Sequence, residues 1–239
     1  MSSAADLAKI VSLSPFPATN EASAPRLYDC RRPDRRELCQ RAVGGNALAA
    51  GLLLIPINIY GRPKYLRVKR DIVNVLKQDR RSYCTTMIDL YGLGKGFPGT
   101  PVPGNLTGTQ RVERIEYAMK EDICRKISDF RPDIRFVPYL SLYEFEALFF
   151  ADPEGLAHSM GRSHLAKHFR EIRDGFRTPE DIADGPETAP SKRIINAHSG
   201  YSKVLEGLQA AKAIGIQKMR EQCPHFHDWL QRLENLPQI

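Results

Sequence analysis

Cysteine is scarce in this sequence, and its few positions exclude two classes of protein. The five cysteines among 239 residues are an odd number, none belongs to a CxxC pair, and no clear signal peptide precedes them. A disulfide framework needs an even set in an exported chain, and paired CxxC motifs are typical of zinc or redox sites. We therefore expect a cytoplasmic protein with free thiols.

Long uninterrupted apolar runs are also lacking. The longest uncharged stretch, Ala42 to Tyr60, contains three glycines, two asparagines and Pro56. These residues would make a poor membrane-spanning helix, and its second half, from Leu52 to Tyr60, is more typical of a buried strand. We expect no membrane association. The glycines of GLGKGFPG do not fit the GxxxxGK[ST] phosphate loop, so the chain has no predicted ATPase site of its own.

The composition is that of an ordinary globular protein with a basic balance. Hydrophobic residues make up 42% and charged residues 26%, while 35 Lys and Arg against 28 Asp and Glu give a net charge of +7. Such a charge is compatible with contact with nucleic acid. Residues 1–25 are rich in Ser, Ala and Pro without an apolar period, and we expect a flexible leader there.

Strand and helix signals alternate through the middle of the chain, and only helix signals follow in its C-terminal part. Strands are predicted at 52–60, 82–91 and 134–140, with amphipathic helices over 64–80 and 107–128. We therefore predict an α/β fold in which a small, mostly parallel sheet flanked by helices occupies residues 51–151. Residues 152–239 form a helical extension packed on this core, and its last helix begins at Pro224.

Asp89 ends one of the predicted strands. Ligands of parallel sheets bind beyond the carboxyl ends of the strands, and a carboxylate there suits a hard divalent cation. The alternative is a cap for the turn at Tyr91 and Gly92.

Two glutamates flank Phe145 in the apolar segment YEFEALFF. Ser141 and Glu144 have the spacing of a capping box, which predicts a helix from 141 to 150 and explains Glu144. Glu146 has no such explanation, and an ionised carboxylate among apolar residues needs a partner or a metal. Glu146 is therefore the second candidate acid, with a buried ion pair to an arginine as the alternative.

The segment PETAPSKRI places two cations at the start of a predicted helix. Lys192 and Arg193 follow a proline-stiffened turn, where basic side chains and free amides can bind phosphate together. The alternative is an ordinary solvated helix start.

From about Leu54 onward the chain resembles a bacterial family of unknown function, typically encoded beside ABC-type ATPases and often among phage-defence genes. The matching segments are RVKRDI, TTMIDLYG, FPG, RVE, FVPYLSLYEFEALFF, PETAPSKRI and CPHFHDWLQRLE. The resemblance implies a domain similar to the TOPRIM fold of topoisomerases and overcoming-lysogenization-defect nucleases, whose acidic residues bind Mg²⁺ for phosphodiester chemistry.

Several roles follow from that resemblance. Asp89 and Glu146 would bind Mg²⁺ and act in catalysis with Lys192, while Lys192 and Arg193 would hold phosphate. The implied function is a nuclease-type subunit that acts with a neighbouring ABC-type ATPase. The alternative is a non-catalytic accessory protein that binds an ATPase or nucleic acid.

The beginning of the chain departs from the family pattern. Members usually open with a strand and an EGQTE-like motif whose first Glu would be the principal acid, but residues 28–39 have the sequence YDCRRPDRRELC. Read one nucleotide later with permitted codons, the same stretch gives MIVEGQTEESFV. Our hypothesis is that residues 1–50 are frame-displaced and that the true frame resumes near Gly51. The site would then be incomplete in this chain.

Overall fold

A buried strand, Tyr83–Asp89, lies at the centre of a five-stranded sheet. The computed structural model describes residues 9–15, 52–59, 62–183, 185–203 and 205–237. The strands are β1 (Lys9–Pro15), β2 (Leu52–Asn58), β3 (Tyr83–Asp89), β4 (Phe136–Val137) and β5 (Leu140–Ser141).

The sheet is mixed, with the order β2-β1-β3-β4 and β5 also paired to β3. Strand β3 runs parallel to β4 and β5, whereas β1 is antiparallel to both β2 and β3. The prediction of a mostly parallel sheet therefore holds for β3, β4 and β5 and fails at β1, which lies between two strands that run opposite to it. The fold is mixed α/β and mostly helical.

Strand β1 falls in the segment for which the composition predicted a flexible leader. Its seven residues, KIVSLSP, include β-branched and leucine side chains that favour extended backbone. The remaining residues of 1–50, including the proposed frame-displaced stretch 28–39, lie outside the described residues.

Two helices predicted from apolar stripes are confirmed. Helix α1 (Tyr65–Gln78) buries Tyr65, Val68, Ile72, Val75 and Leu76, the stripe expected at helical spacing. Helix α2 (Gly108–Lys126) begins with a capping box in which Thr107 Oγ1 accepts from the Gln110 N–H at 3.2 Å and Gln110 Oε1 accepts from the Thr107 N–H at 3.0 Å.

The predicted strand over 134–140 is divided in two. A four-residue helix, α3 (Pro132–Arg135), precedes β4, and β4 and β5 are separated at Pro138, which has no N–H to donate to a neighbouring strand. The predicted helix from 141 to 150 is instead the shorter 3-10 helix Phe145–Ala151.

The remaining chain is helical, as predicted. Its α-helices are α4 (Pro153–Ser159), α5 (Ala166–Asp174), α6 (Pro190–Ala197), α7 (Leu205–Gln222) and α8 (Pro224–Glu234). Short 3-10 helices lie at Leu90–Gly92, Ser128–Phe130, Ser163–Leu165, Pro179–Asp181 and Pro186–Thr188. Gly215, at φ 76° and ψ 155°, interrupts the helical path of α7.

Alternate side chains of β3 contribute to two hydrophobic cores. Cys84 and Ile88 pack with α1 and α2, whereas Tyr83 and Met87 pack with the helices that follow residue 144. Because side chains alternate along a strand, Asp89 shares the face of Tyr83 and Met87. The end of β3 therefore presents its carboxylate toward the C-terminal helical layer. Among the described residues, no helix has the length and apolar character needed to cross a membrane.

Candidate functional site

Asp89 is fixed at the end of β3 by backbone contacts. It lies beside Ser141 of β5 in the parallel register, and its side chain is buried. Its Oδ1 accepts a hydrogen bond from the Phe145 N–H at 2.9 Å. The carboxylate does not cap the 3-10 helix Leu90–Gly92, so the alternative role of a cap for that turn is wrong.

Glu144 is bound to a different helix from the one that the sequence suggested. Its Oε2 accepts a hydrogen bond from the N–H of Ser191, in the first turn of α6, at 2.9 Å. The predicted capping box with Ser141 is wrong because Ser141 is part of β5 and Tyr143 has a positive φ of 62°, which breaks the helical path between them. Glu144 thus links the segment after β5 to α6.

Glu146 is the most deeply buried acid of this region. It lies in the first turn of the 3-10 helix Phe145–Ala151 and retains only 1% of its exposure. Within the described part of the chain, neither carboxylate oxygen receives a well-aligned hydrogen bond. A buried carboxylate without hydrogen bonds loses its hydration without replacement, so this position needs a cation nearby.

Lys203 supplies a cation at this position. Its Nζ lies 3.2 Å from Oε1 of Glu146 and 3.5 Å from Oε1 of Glu144. The sequence had suggested an arginine as the partner of Glu146, and it gave no motif that could have identified Lys203. The general requirement that a buried acid must have a counter-ion was the only available signal.

We call Asp89, Glu144, Glu146 and Lys203 the acidic site, and its charges affect the pKa values of Asp89, Glu146 and Lys203. Burial, reinforced by the negative charges of Glu146 and Glu144, raises the pKa of Asp89 well above its ordinary value. Burial also raises the pKa of Glu146, against the opposing effect of Lys203. Burial lowers the pKa of Lys203, but the three carboxylates outweigh it and the net shift is upward. Among the described residues, one ammonium group faces three carboxyl groups, and the raised pKa values of Asp89 and Glu146 mean that bound protons can offset part of their negative charge.

Several buried side-chain oxygens make no well-aligned hydrogen bond. In the described residues they belong to Tyr139, Ser141, Glu146 and Tyr201, of which Glu146 is paired with Lys203. Ser141 is the neighbour of Asp89 in the sheet. Burial, with the charges of Glu146, Glu206 and Glu144, raises the pKa of Tyr201.

The donor chemistry fits a hard divalent cation, although the ligands are not preassembled. Carboxylate and hydroxyl oxygens are the donors that Mg²⁺ prefers. No three His, Cys, Asp or Glu side chains of the described ranges form a ready metal-binding group. Mg²⁺ is commonly bound through one or two carboxylates and several waters, which Asp89 and Glu146 could provide.

The predicted phosphate ligands lie at the start of α6, the helix that Glu144 contacts. The Lys192 side chain is exposed. The Arg193 Nε donates to the Thr188 carbonyl at 2.8 Å, and its guanidinium carbon lies 5.2 Å from the Phe176 ring centroid. The Ser191 amide, which could have faced a phosphate, donates to Glu144 instead. Phosphate binding by Lys192 and Arg193 stays a prediction.

A family model for a domain of unknown function, DUF4276, matches residues 37–234. The chain belongs to the DUF4276 family. The matched range contains every residue of the acidic site, so this site is part of the DUF4276 domain itself. Comparison with curated proteins and with solved structures finds no match.

Proposed function

We propose that this DUF4276 chain is a TOPRIM-like, Mg²⁺-dependent nuclease-type subunit that acts with an ABC-type ATPase. One observation carries the proposal: three buried acids lie near the end of a parallel strand, and among the described residues Lys203 is the cation that neutralises them. Burial disfavours the ionised forms of Asp89 and Glu146, and a divalent cation bound by them would supply the positive charge that keeps both ionised. The ATPase partner and a role in phage defence rest on the sequence resemblance.

In this proposal Asp89 and Glu146 hold the cation, and Glu144 positions both α6 and Lys203. A bound Mg²⁺ would supply charge stabilisation to a phosphodiester undergoing cleavage. Lys203, whose Nζ lies within 3.5 Å of two of the carboxylates, would act beside the acids together with Lys192, the catalytic lysine that the resemblance implies. Lys192 and Arg193 at the start of α6 would hold the phosphate of the substrate.

A second candidate function is favoured by the sequence at residues 28–39. These residues lack the EGQTE-like motif that would supply the principal acid. If the frame is as written, a non-catalytic accessory protein that binds the ATPase or nucleic acid accounts for the chain. If the frame is displaced, sequencing of the coding DNA across the codons for Arg26 to Tyr60 will reveal a gained or lost nucleotide.

The decisive assay compares the chain as written with a chain in which the displaced frame is restored, so that residues 28–39 become MIVEGQTEESFV. Both are incubated with plasmid DNA and Mg²⁺ or Mn²⁺, with and without the neighbouring ATPase. We expect cleavage by the restored chain, and its loss in Asp89→Asn and Glu146→Gln. Glu180→Gln, which removes a buried carboxylate of a different cluster, serves as the matched control and should retain cleavage.

Two results would decide against the nuclease. Absence of cleavage by the restored chain in the presence of the ATPase would contradict it. Cleavage that survives both Asp89→Asn and Glu146→Gln would assign the activity to another site or to a contaminant. Co-purification with the ATPase that is insensitive to Asp89→Asn, without cleavage, would support the accessory function.

A further inference from the structure

The loop that follows Asp89 is free of acidic residues and lies against the start of α1. Between Leu90 and Val112 the sequence contains no Asp or Glu, but it contains Lys95 and Arg111. The Tyr91 N–H donates to the Tyr143 carbonyl at 3.0 Å, which joins the beginning of this loop to the segment that carries Glu144 and Glu146. The loop is therefore tied directly to the acidic site.

The same loop is bonded to the residues that open α1. The Gly94 N–H donates to the Pro63 carbonyl at 3.0 Å, and the Tyr65 N–H donates to the Lys95 carbonyl at 3.2 Å. A Cβ at Gly94 would lie 2.2 Å from the Pro63 carbonyl oxygen, so this close approach requires glycine. The Arg62 Nε donates to the Leu93 carbonyl at 2.9 Å. These contacts fix the two segments relative to each other.

Four cations lie along this junction, and we call Arg62, Lys64, Arg67 and Lys95 the basic rim. All four are exposed, and the Arg67 side chain retains 43% of its exposure. The first turn of α1 contains no acidic residue. Among the described residues, the acid that pairs with the rim is Asp71, whose Oδ2 is 4.0 Å from the Arg67 Nε and whose side chain is 18% exposed. The rim therefore has a net positive charge.

The basic rim and Asp89 share one end of the sheet. In a strand–helix–strand unit with parallel strands, the helix runs back along the sheet, so its first residues lie at the carboxyl end of the strands. Helix α1 connects β2 to β3, and these strands run in the same direction because each is antiparallel to β1. The start of α1 thus lies at the end of the sheet where β3 terminates at Asp89.

We propose that the basic rim binds the phosphate backbone of nucleic acid and guides it toward the acidic site. Exposed lysines and arginines without compensating acids bind phosphates largely by counter-ion release, without regard to base sequence. This inference rests on the proposed function for the class of partner. It adds a surface on other elements than α6, where the sequence had predicted the phosphate ligands.

The test measures binding rather than cleavage. A fluorescein-labelled DNA duplex is titrated with the full chain in EDTA over a series of salt concentrations, and fluorescence anisotropy reports the affinity. The test variant is Lys64→Gln, Arg67→Gln and Lys95→Gln together, which leaves the Arg62 contact with the loop intact. The control is Lys167→Gln, Arg177→Gln and Lys212→Gln, which removes the same charge from exposed positions on other elements.

We expect the rim variant to bind about tenfold more weakly or worse, with the slope of log affinity against log salt reduced by up to about 2.7 for three lost contacts. The control should bind like the wild type, and both variants should melt like it. Equal losses in the two variants, or no binding by the wild type, would overturn the proposal. Rim-dependent binding in EDTA, together with absence of cleavage by the restored chain in Mg²⁺ with the ATPase, would support the rim and contradict the nuclease alone.

Discussion

The Lys203 ammonium group lies 3.2 Å from Oε1 of Glu146, a carboxylate with 1% exposure. This pair joins the segment before α7 to the 3-10 helix that follows β5. It also provides the cation that the described residues place beside a group of three buried acids. Lys203 therefore determines both how the acidic site is held together and how much negative charge is left for a ligand.

Removing Lys203 should destabilise the protein. Lys203→Met leaves Glu144 and Glu146 without their cation, and breaking a buried pair from one side costs about 3 kcal/mol or more. Urea unfolding in EDTA measures this loss. Lys167→Met breaks an exposed pair with Glu171 at 4.0 Å and should change the stability little. Similar unfolding midpoints for Lys203→Met and the wild type would show that the acids do not need Lys203.

Glu180, a buried acid outside the acidic site, predicts how the stability of the protein depends on pH. Glu180 accepts hydrogen bonds from the N–H groups of His225 and Phe226 at 2.9 and 3.0 Å, and burial raises its pKa from 4.5 to about 7. A raised pKa means that the folded state holds this proton more tightly than the unfolded state. The resulting contribution to stability is complete below about pH 4.5 and is lost as the pH rises through about 7.

The neighbouring His225 acts in the same direction. Burial lowers the pKa of His225, but its contact with Glu116 at 3.1 Å outweighs this and raises it overall. Its contribution is likewise lost as the pH rises through the folded-state pKa. We expect the free energy of unfolding to fall between pH 5 and pH 8, and to fall less steeply in Glu180→Gln. An identical slope in this variant would contradict the assignment to Glu180.

The single tryptophan connects the C-terminal helix to the central strand. The Trp229 Nε1 donates to Thr85 Oγ1 at 2.8 Å, and its ring stacks on Tyr139 with centroids 4.5 Å apart. Thr85→Val preserves the shape but leaves a buried indole N–H without a partner, which should cost about 1–3 kcal/mol. Denaturant unfolding followed by Trp229 fluorescence measures the loss.

A double-mutant cycle makes this prediction specific to the hydrogen bond. Once Trp229→Phe has removed the donor, Thr85→Val should cost less than it does in the wild type, with a coupling of about 0.5 kcal/mol or more. Circular dichroism replaces fluorescence for the variants without tryptophan. Additive effects of the two substitutions would show that the contact contributes nothing to stability.

Patterns among residues close in sequence correctly predicted those helices and strands whose formation depends on sequence neighbours. Residues close in sequence determine three features that the sequence predicted correctly. These are the apolar stripe of α1, the capping box at Thr107 and the position of Asp89 at the end of a strand. The same kind of signal failed at Ser141, where pairing with β3 overrides the capping-box spacing. The pairing of β5 with β3 therefore determines the conformation of the segment that carries Glu144 and Glu146.

Contacts between distant parts of the chain could not be predicted from spacing. Glu146 could be identified as a buried acid from its apolar neighbours, but its partner Lys203 lies in a segment with no distinguishing pattern. The link between Glu144 and Ser191 likewise depends on how α6 docks against the 3-10 helix. Such pairs follow from the packing of the C-terminal helices on the sheet.

The most direct test of the central claim is whether a divalent cation stabilises the folded chain through the acidic site. A ligand that binds only the native state raises the melting temperature. The wild type, Glu146→Gln and the control Glu180→Gln are melted in EDTA and in millimolar Mg²⁺ or Mn²⁺. We predict a metal-induced rise for the wild type and Glu180→Gln that is abolished in Glu146→Gln. No rise in the wild type, or an equal rise in Glu146→Gln, would contradict a cation site at Asp89 and Glu146.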